Sequence, residues 1–262
     1  MDFDLLSVAV PFRMQPGLRR LDGDRHLTAL VPGSALWLEK QQVLASGASR
    51  LCVPGFDPQP AIAAILERAA AEGITAREPL ELAFAQDFAV LEGAGTTLPW
   101  LCVCLPSHWA PEDKLGRPFV TVHAPVADNQ ALLAAGRQLV QLVTGGGEWE
   151  RSVWTISPSG RHDQHPHRHP RVAWPDTADV AQFARQCFLR AERQTFFPVP
   201  GRPGQAVFTI RVMLQALTDA VRTPAEAARL HASLASMSDA VLHYKNLAAA
   251  RDRLLGWLET VS

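Results

Sequence analysis

The chain has 262 residues, 47% of them apolar and 19% charged, and a formal net charge of -1. That length can bury a sizeable core, and the composition is globular rather than disordered or fibrous. The charge balance offers nothing to attract nucleic acid or an anionic membrane.

The opening "MDFDLLSVAVPFRMQPGLRRL" starts acidic and has only a short apolar run, with loop-forming Pro11, Pro16 and Gly17. It lacks the basic stretch and small-residue cleavage site of a signal peptide, and no apolar run approaches membrane-span length. Cys52, Cys102, Cys104 and Cys187 are too few for a disulfide framework. These features predict free thiols and a cytoplasmic protein, with no membrane or nucleic-acid partner. On a strand, Cys102 and Cys104 would share one face.

In chain order, residues 34–45 predict a helix capped by Ser34. Residues 60–73 predict a second helix, with apolar residues at helical spacing and Gly73 at its end. "LELAFAQDFAVLEG" predicts helix then strand, and "LPWLCVCLPS" a buried strand between prolines. "PEDKLG" starts a short helix with Pro at its first position. "RPFVTVHAPV" alternates and is β-branched, which predicts a strand up to His123. Residues 129–143 read as one helix, capped by Asp128 or Asn129. A glycine turn leads to a strand over about 151–157. Residues 177–190 contain a helix. "RQTFFPVP" and "QAVFTIRVMLQAL" read as strands joined by the turn "GRPG". From Pro224 to the end the chain is helical. Helices come first, strands fill the middle and helices close the chain, so the class is α+β. With no repeat or low-complexity linker, residues 1–262 read as one domain with a helical C-terminal segment over about 224–262.

Four histidines crowd into "RHDQHPHRHP": His162, His165, His167 and His169. Alternate histidines on a regular strand would share a face and could chelate a metal. Pro166 and Pro170 disturb that spacing, because both favour extended or polyproline geometry with a threefold repeat. The expectation is a polar surface loop rather than a specific metal site.

His123 stands alone at the end of an apolar segment. Two readings stay open on the residues: a core histidine bonded to backbone, or an axial ligand for a haem iron in an apolar pocket. Arg190, Glu192, Arg193 and Gln194 cluster on one strand and Arg211 sits among apolar residues of the next. An arginine there needs a partner. It either closes the sheet with a carboxylate, such as Glu192 with Arg211, or neutralises an anion. There is no P-loop, nucleophile elbow or dinucleotide fingerprint.

"LPSHWAPEDKLGRPFVTVHAPV" (105–126), "RAERQTFFPVPGRPGQAVFTIR" (190–211) and the early "PFRMQPGLRRL" together resemble the haem-dependent oxidative N-demethylase α subunit family, with "AQDFAVLEG" and "HYKNL" fitting the same pattern. The resemblance implies a haem-binding PAS-like fold: an antiparallel sheet with helices packed on it and helical extensions at both ends. It implies a haem b monooxygenase-type oxidoreductase that uses O2 to convert a small secondary amine such as dimethylamine to primary amine and formaldehyde. Electrons would come from NADPH through a separate flavin and iron–sulfur reductase subunit, and a folate-binding partner would take the formaldehyde. His123, in the "HAPV" match, would be the iron ligand. Arg193, in "ERQT", would serve the polar distal side, and Arg211, in "FTIR", that side or a haem propionate. The sequence departs from the family pattern at Val153, Val212 and Met213. A haem-based gas or redox sensor and a haem-free PAS-like binding domain are the alternatives.

Overall fold

The long apolar, β-branched segments of the middle of the chain pair into a single sheet. In the computed structural model, which describes residues 8–15, 17–21, 23 and 25–261, β1 is Arg19–Arg20, β2 Arg50–Cys52, β3 Gln86–Glu92, β4 Thr97–Cys102, β5 Trp149–Ser157, β6 Phe188–Pro198 and β7 Gln205–Ala216. Pro16 and the first seven residues, read above as part of a loop, lie outside the described residues. The strand order is β1-β5-β6-β7-β3-β4-β2, and every pairing is antiparallel. The α+β class is therefore as expected.

The "GRPG" turn makes the β6–β7 hairpin, with Gly201 and Gly204 at φ +71° and +81°, a region open to glycine at little cost. The hairpin register runs from Phe188 opposite Ala216 to Pro198 opposite Ala206. It fixes the faces, because neighbours across a ladder point the same way and successive residues point oppositely.

One face carries Arg151 and Val153 of β5, Glu192, Gln194 and Phe196 of β6, and Phe208, Ile210 and Val212 of β7. Over it lie α4 (Phe119–His123), α5 (Gln130–Ala134) and α6 (Gly136–Thr144). Val140 and Val143 of α6 pack with Leu91, Phe196, Phe208 and Phe119. We call this the α6 face.

The other face is covered in two places. Trp154, Ile156, Leu189 and Ala191 pack under α7 (Val180–Arg185), α9 (Pro224–Ala235), α10 (Asp239–Tyr244) and α11 (Arg251–Val261). Phe88, Val90, Trp100 and Phe197 pack under α2 (Gln59–Ala71) and α3 (Leu80–Ala83).

Several expectations match element for element. Ser34 caps α1 (Ala35–Ala45) by accepting the Trp37 N–H. Pro224 opens α9, where Thr223 and Glu226 form a reciprocal capping box. Four details differ. The 129–143 helix breaks at Ala135 into α5 and α6. The helix expected over 177–190 is confined to α7, since β6 begins at Phe188 and takes Arg190 into the sheet. Cys102 and Cys104 do not share a face: β4 ends at Cys102, and the two thiols sit in different core clusters.

The fourth difference is the segment before His123, which is helix rather than strand. Its helix is only five residues long, so tertiary contacts rather than propensity must hold it. The Lys114 ammonium donates to the Val122 carbonyl, and the Asn129 amide donates to the carbonyls of His123 and Ala124. Those bonds satisfy carbonyls that a helix end leaves open. Phe119 packs onto Gly136, where an added Cβ would lie 2.8 Å from the Phe119 ring.

Candidate functional site

His123 ends α4 on the α6 face. Its ring stacks on Phe119, with centroids 3.9 Å apart, and its Nδ1 lies 2.9 Å from the Phe119 carbonyl. A carbonyl can only accept, so Nδ1 carries the proton and donates. Burial lowers the ring's pKa, the Phe119 bond opposes that, and the nearby cations Arg151 and Lys114 lower it further. The neutral ring therefore presents the lone pair of Nε2, which has no hydrogen-bond partner among the described residues.

Arg151 shares this face. Burial lowers its pKa against the attraction of Glu192 and Tyr244. Its Nε is buried and has no hydrogen-bond partner among the described residues, an arrangement that costs free energy unless something fills it. Next along the face, Glu192 accepts from Ser107 and from the Gln194 amide. Arg190, only 2% exposed, donates to Ser107 and to the carbonyls of Arg161 and His162. Apolar surface comes from Phe208, Trp109, Leu98 and Leu115, all half-buried against Ala89, Leu101 and Val103. A half-buried apolar wall, one bare imidazole nitrogen and a cation with an open donor thus share one face.

Arg193 and Arg211 lie directly opposite each other on β6 and β7. Their parity puts them on the face away from Arg151 and Gln194, so the structure brings them together but not with His123. Arg193 is bound by Glu150 at 2.7 Å and by the Arg25 carbonyl at 2.6 Å. Arg211 has no hydrogen bond or ion pair among the described residues. Burial, then repulsion from Arg193, lowers its pKa. Glu192 faces the other way, so the anticipated Glu192–Arg211 pair is not formed. Sequence reasoning also missed two residues beside these groups. His26 is buried between Thr195 and Glu148, at 2.9 and 2.8 Å. Arg151 carries no motif; only its place on β5, facing α4, marks it.

The sequence pattern of a family described as haem-dependent oxidative N-demethylase, alpha subunit-like, matches residues 67–255. The chain belongs to this family. No curated protein matches it. Among the described residues of this family member, no helix is long and apolar enough to cross a membrane. The match runs through β3 to β7 and includes His123, Arg151, Arg193 and Arg211.

The histidine segment of this oxidative N-demethylase-like chain is only in part the polar surface loop expected. Asp163, Gln164 and His165 are buried. Each imidazole meets a carboxylate: His162 meets Glu39 at 2.8 Å, His165 and His167 both meet Glu112, at 3.1 and 3.2 Å, and His169 meets Asp163 at 3.1 Å. Arg168 grips Asp163 and donates to the Cys104 carbonyl, which fastens the turn to the sheet. Glu112 lies some fifty residues earlier in the chain, in a short 3-10 helix (Pro111–Asp113), so no local spacing signals it.

Proposed function

We propose that the chain is the haem-binding catalytic subunit of an amine N-demethylase, in which His123 would hold the iron of a haem b. The observation that carries this reading is the Nδ1–H bond from His123 to the Phe119 carbonyl. Metal-ligating histidines usually donate their second nitrogen in this way, which fixes the tautomer and the ring plane. The bare Nε2, the apolar wall and the orphaned Arg151 Nε on the same face fit a flat, largely apolar, anionic cofactor.

When bound, the haem supplies the O2 chemistry. The residues of the chain hold and orient it: His123 offers one nitrogen, Arg151 offers a cation to a carboxylate or a polar ligand, and Phe208 and Trp109 exclude water. Arg193 and Arg211 enter the proposal as a guanidinium pair on the far side of the sheet, because the guanidinium with an open donor on the face of His123 is Arg151.

The reaction is (CH3)2NH + O2 + NADPH + H+ → CH3NH2 + HCHO + H2O + NADP+, written for dimethylamine as the small secondary amine. Two electrons come from the amine's C–H bond and two from NADPH. The chain carries no flavin or iron–sulfur signature, so the NADPH electrons arrive from a separate reductase subunit, as the α-subunit character of the family suggests. The fold reading is PAS-like. The strands of the central sheet run β5-β6-β7-β3-β4, with the helices between β4 and β5 covering one face, and the C-terminal helices from about 224 to 262 complete a single domain. The sparse cysteines favour a cytoplasmic protein.

An absorption spectrum tests the reading. The chain reconstituted with haem is expected to show a sharp Soret band that shifts or disappears in His123→Ala. Arg151→Gln is expected to keep the band and bind haem more weakly. Added secondary amine should shift the band, and a suitable reductase with NADPH should then release formaldehyde. A band unchanged in His123→Ala removes the ligand assignment, and a colourless wild type removes the proposal.

A further inference from the structure

The strongest feature outside the His123 site is the meeting of His165, His167 and Glu112. Each offers one donor atom, and the three atoms lie within 4.8 Å of one another. His165 Nε2 is 3.1 Å from Glu112 Oε2, and His167 Nδ1 is 3.2 Å from Glu112 Oε1. Ligands at about 2.1 Å around a tetrahedral cation stand about 3.4 Å apart, so little movement separates these contacts from coordination.

The donors are unequally held, in a useful way. His165 is 4% exposed, and its backbone N–H is bound by Asp163 at 3.0 Å, which Arg168 clamps in turn. Glu112 and His167 have side chains 48% and 68% exposed. One imidazole is therefore preorganised, while the other two ligands can close from solvent.

We propose that Glu112, His165 and His167 form a site for one divalent cation of the zinc type, with water in the remaining position. Two nitrogens and one carboxylate oxygen suit a borderline cation rather than calcium or magnesium. The metal-free chain holds one bond that opposes this. The His167 N–H donates to His165 Nδ1 at 3.1 Å, so the proton of His165 sits on Nε2 and points at Glu112. A cation takes that proton's place: Nε2 becomes the ligand, the proton moves to Nδ1, and the His167 N–H turns to solvent. One neutral hydrogen bond at an exposed residue is lost, and three coordinate bonds form. The bound cation would join the histidine segment to the 3-10 helix at Pro111–Asp113, both next to the loop that carries Ser107, and so stiffen one edge of the α6 face.

The test uses the full-length, haem-free chain stripped with a chelator and titrated with Zn2+ against a chromophoric competitor. One equivalent is expected to bind and to raise the melting temperature, as any ligand specific to the native state must. Glu112→Gln and His167→Ala change exposed side chains and should lower the melting temperature of the metal-free chain only slightly, leaving it folded. Each is expected to weaken Zn2+ binding by more than about tenfold, the scale on which even outer-shell partners act. His165→Gln should abolish binding. If that variant does not fold, the two exposed variants still decide. His162→Gln and His169→Gln should bind as the wild type does. Absence of stoichiometric binding overturns the site. So does binding that survives in Glu112→Gln and His167→Ala, or that is lost in His123→Ala instead.

Discussion

His123 is half-buried and His165 buried, both in tight backbone settings, yet they are prepared for different chemistry. The ring of His123 donates to a carbonyl, which cannot give a proton back, and burial, helped by two nearby cations, disfavours the charged ring and leaves a nitrogen bare. The rings of the 162–169 segment face carboxylates and work first as fasteners between loops. The difference lies in the partner and not in the histidine, so a histidine count does not tell the two settings apart.

The two regions share a foundation, and the largest expected effect comes from removing it. Lys40 is fully buried, 2.9 Å from Asp87, and donates to the carbonyls of Phe84 and Gln86. Asp87 in turn accepts the N–H groups of Cys104 and Leu105, where the loop toward Ser107 and Glu112 begins. Lys40→Ala leaves the Asp87 charge without its counter-ion, and breaking a buried pair on one side costs about 3–5 kcal/mol. Urea unfolding should show that loss. Zn2+ binding at Glu112 and the Soret band of the haem-loaded chain should weaken together. Loss of one with the other intact would show that the regions do not rest on a common base.

A smaller change separates them. Glu39 accepts the Asp163 N–H at 2.8 Å, the His162 N–H at 3.2 Å and the His162 ring at 2.8 Å. Burial would raise this carboxyl, but the His162 and Asp163 bonds outweigh it and hold its pKa below the ordinary value. Glu39→Gln weakens three bonds to a charged acceptor and should cost about 2 kcal/mol. Because the folded pKa is depressed, the contribution is complete above the unfolded carboxylate range of about 4.5 and is lost as pH falls through the folded value. The stability gap between wild type and Glu39→Gln, measured by chemical denaturation, should thus be full at pH 7 and close on acidification. The Soret band of the haem-loaded variant should not change. A gap that does not narrow on acidification would mean that Glu39 acts through packing rather than charge.

The residues differ in how far their roles can be read without coordinates. Ser34, Pro224, Gly73 and the "GRPG" turn act through bonds to near neighbours, so spacing reveals them. "FVTVH" misleads because β-branched alternation is a local signal, while the bonds that make this segment helical come from Lys114 and Asn129. Arg193 and Arg211 stand out as charges on strands, but only the register shows that they oppose each other and turn away from Arg151. Glu112 was invisible as a partner of His165 for the same reason: the contact spans fifty-three residues. Local chemistry is legible in sequence; convergence of distant chain segments is not.

The smallest expected effect tests whether the His123 ring is held by its own helix or by what caps it. The Asn129 amide donates to the His123 carbonyl at 3.1 Å and to the Ala124 carbonyl at 2.9 Å. Both bonds lie at the rim, where water can replace them, so Asn129→Ala should cost about 1 kcal/mol. The Phe119 carbonyl and the stacked Phe119 ring still orient the imidazole in the variant. The haem-loaded variant should therefore keep the Soret position of the wild type while losing haem faster, since the helix end frays. If the band itself moves, the ring plane is set by the cap, and the tautomer argument must include Asn129. If neither position nor rate changes, α4 is held by the Lys114 bond to Val122 and by the packing of Phe119 on Gly136 and α6.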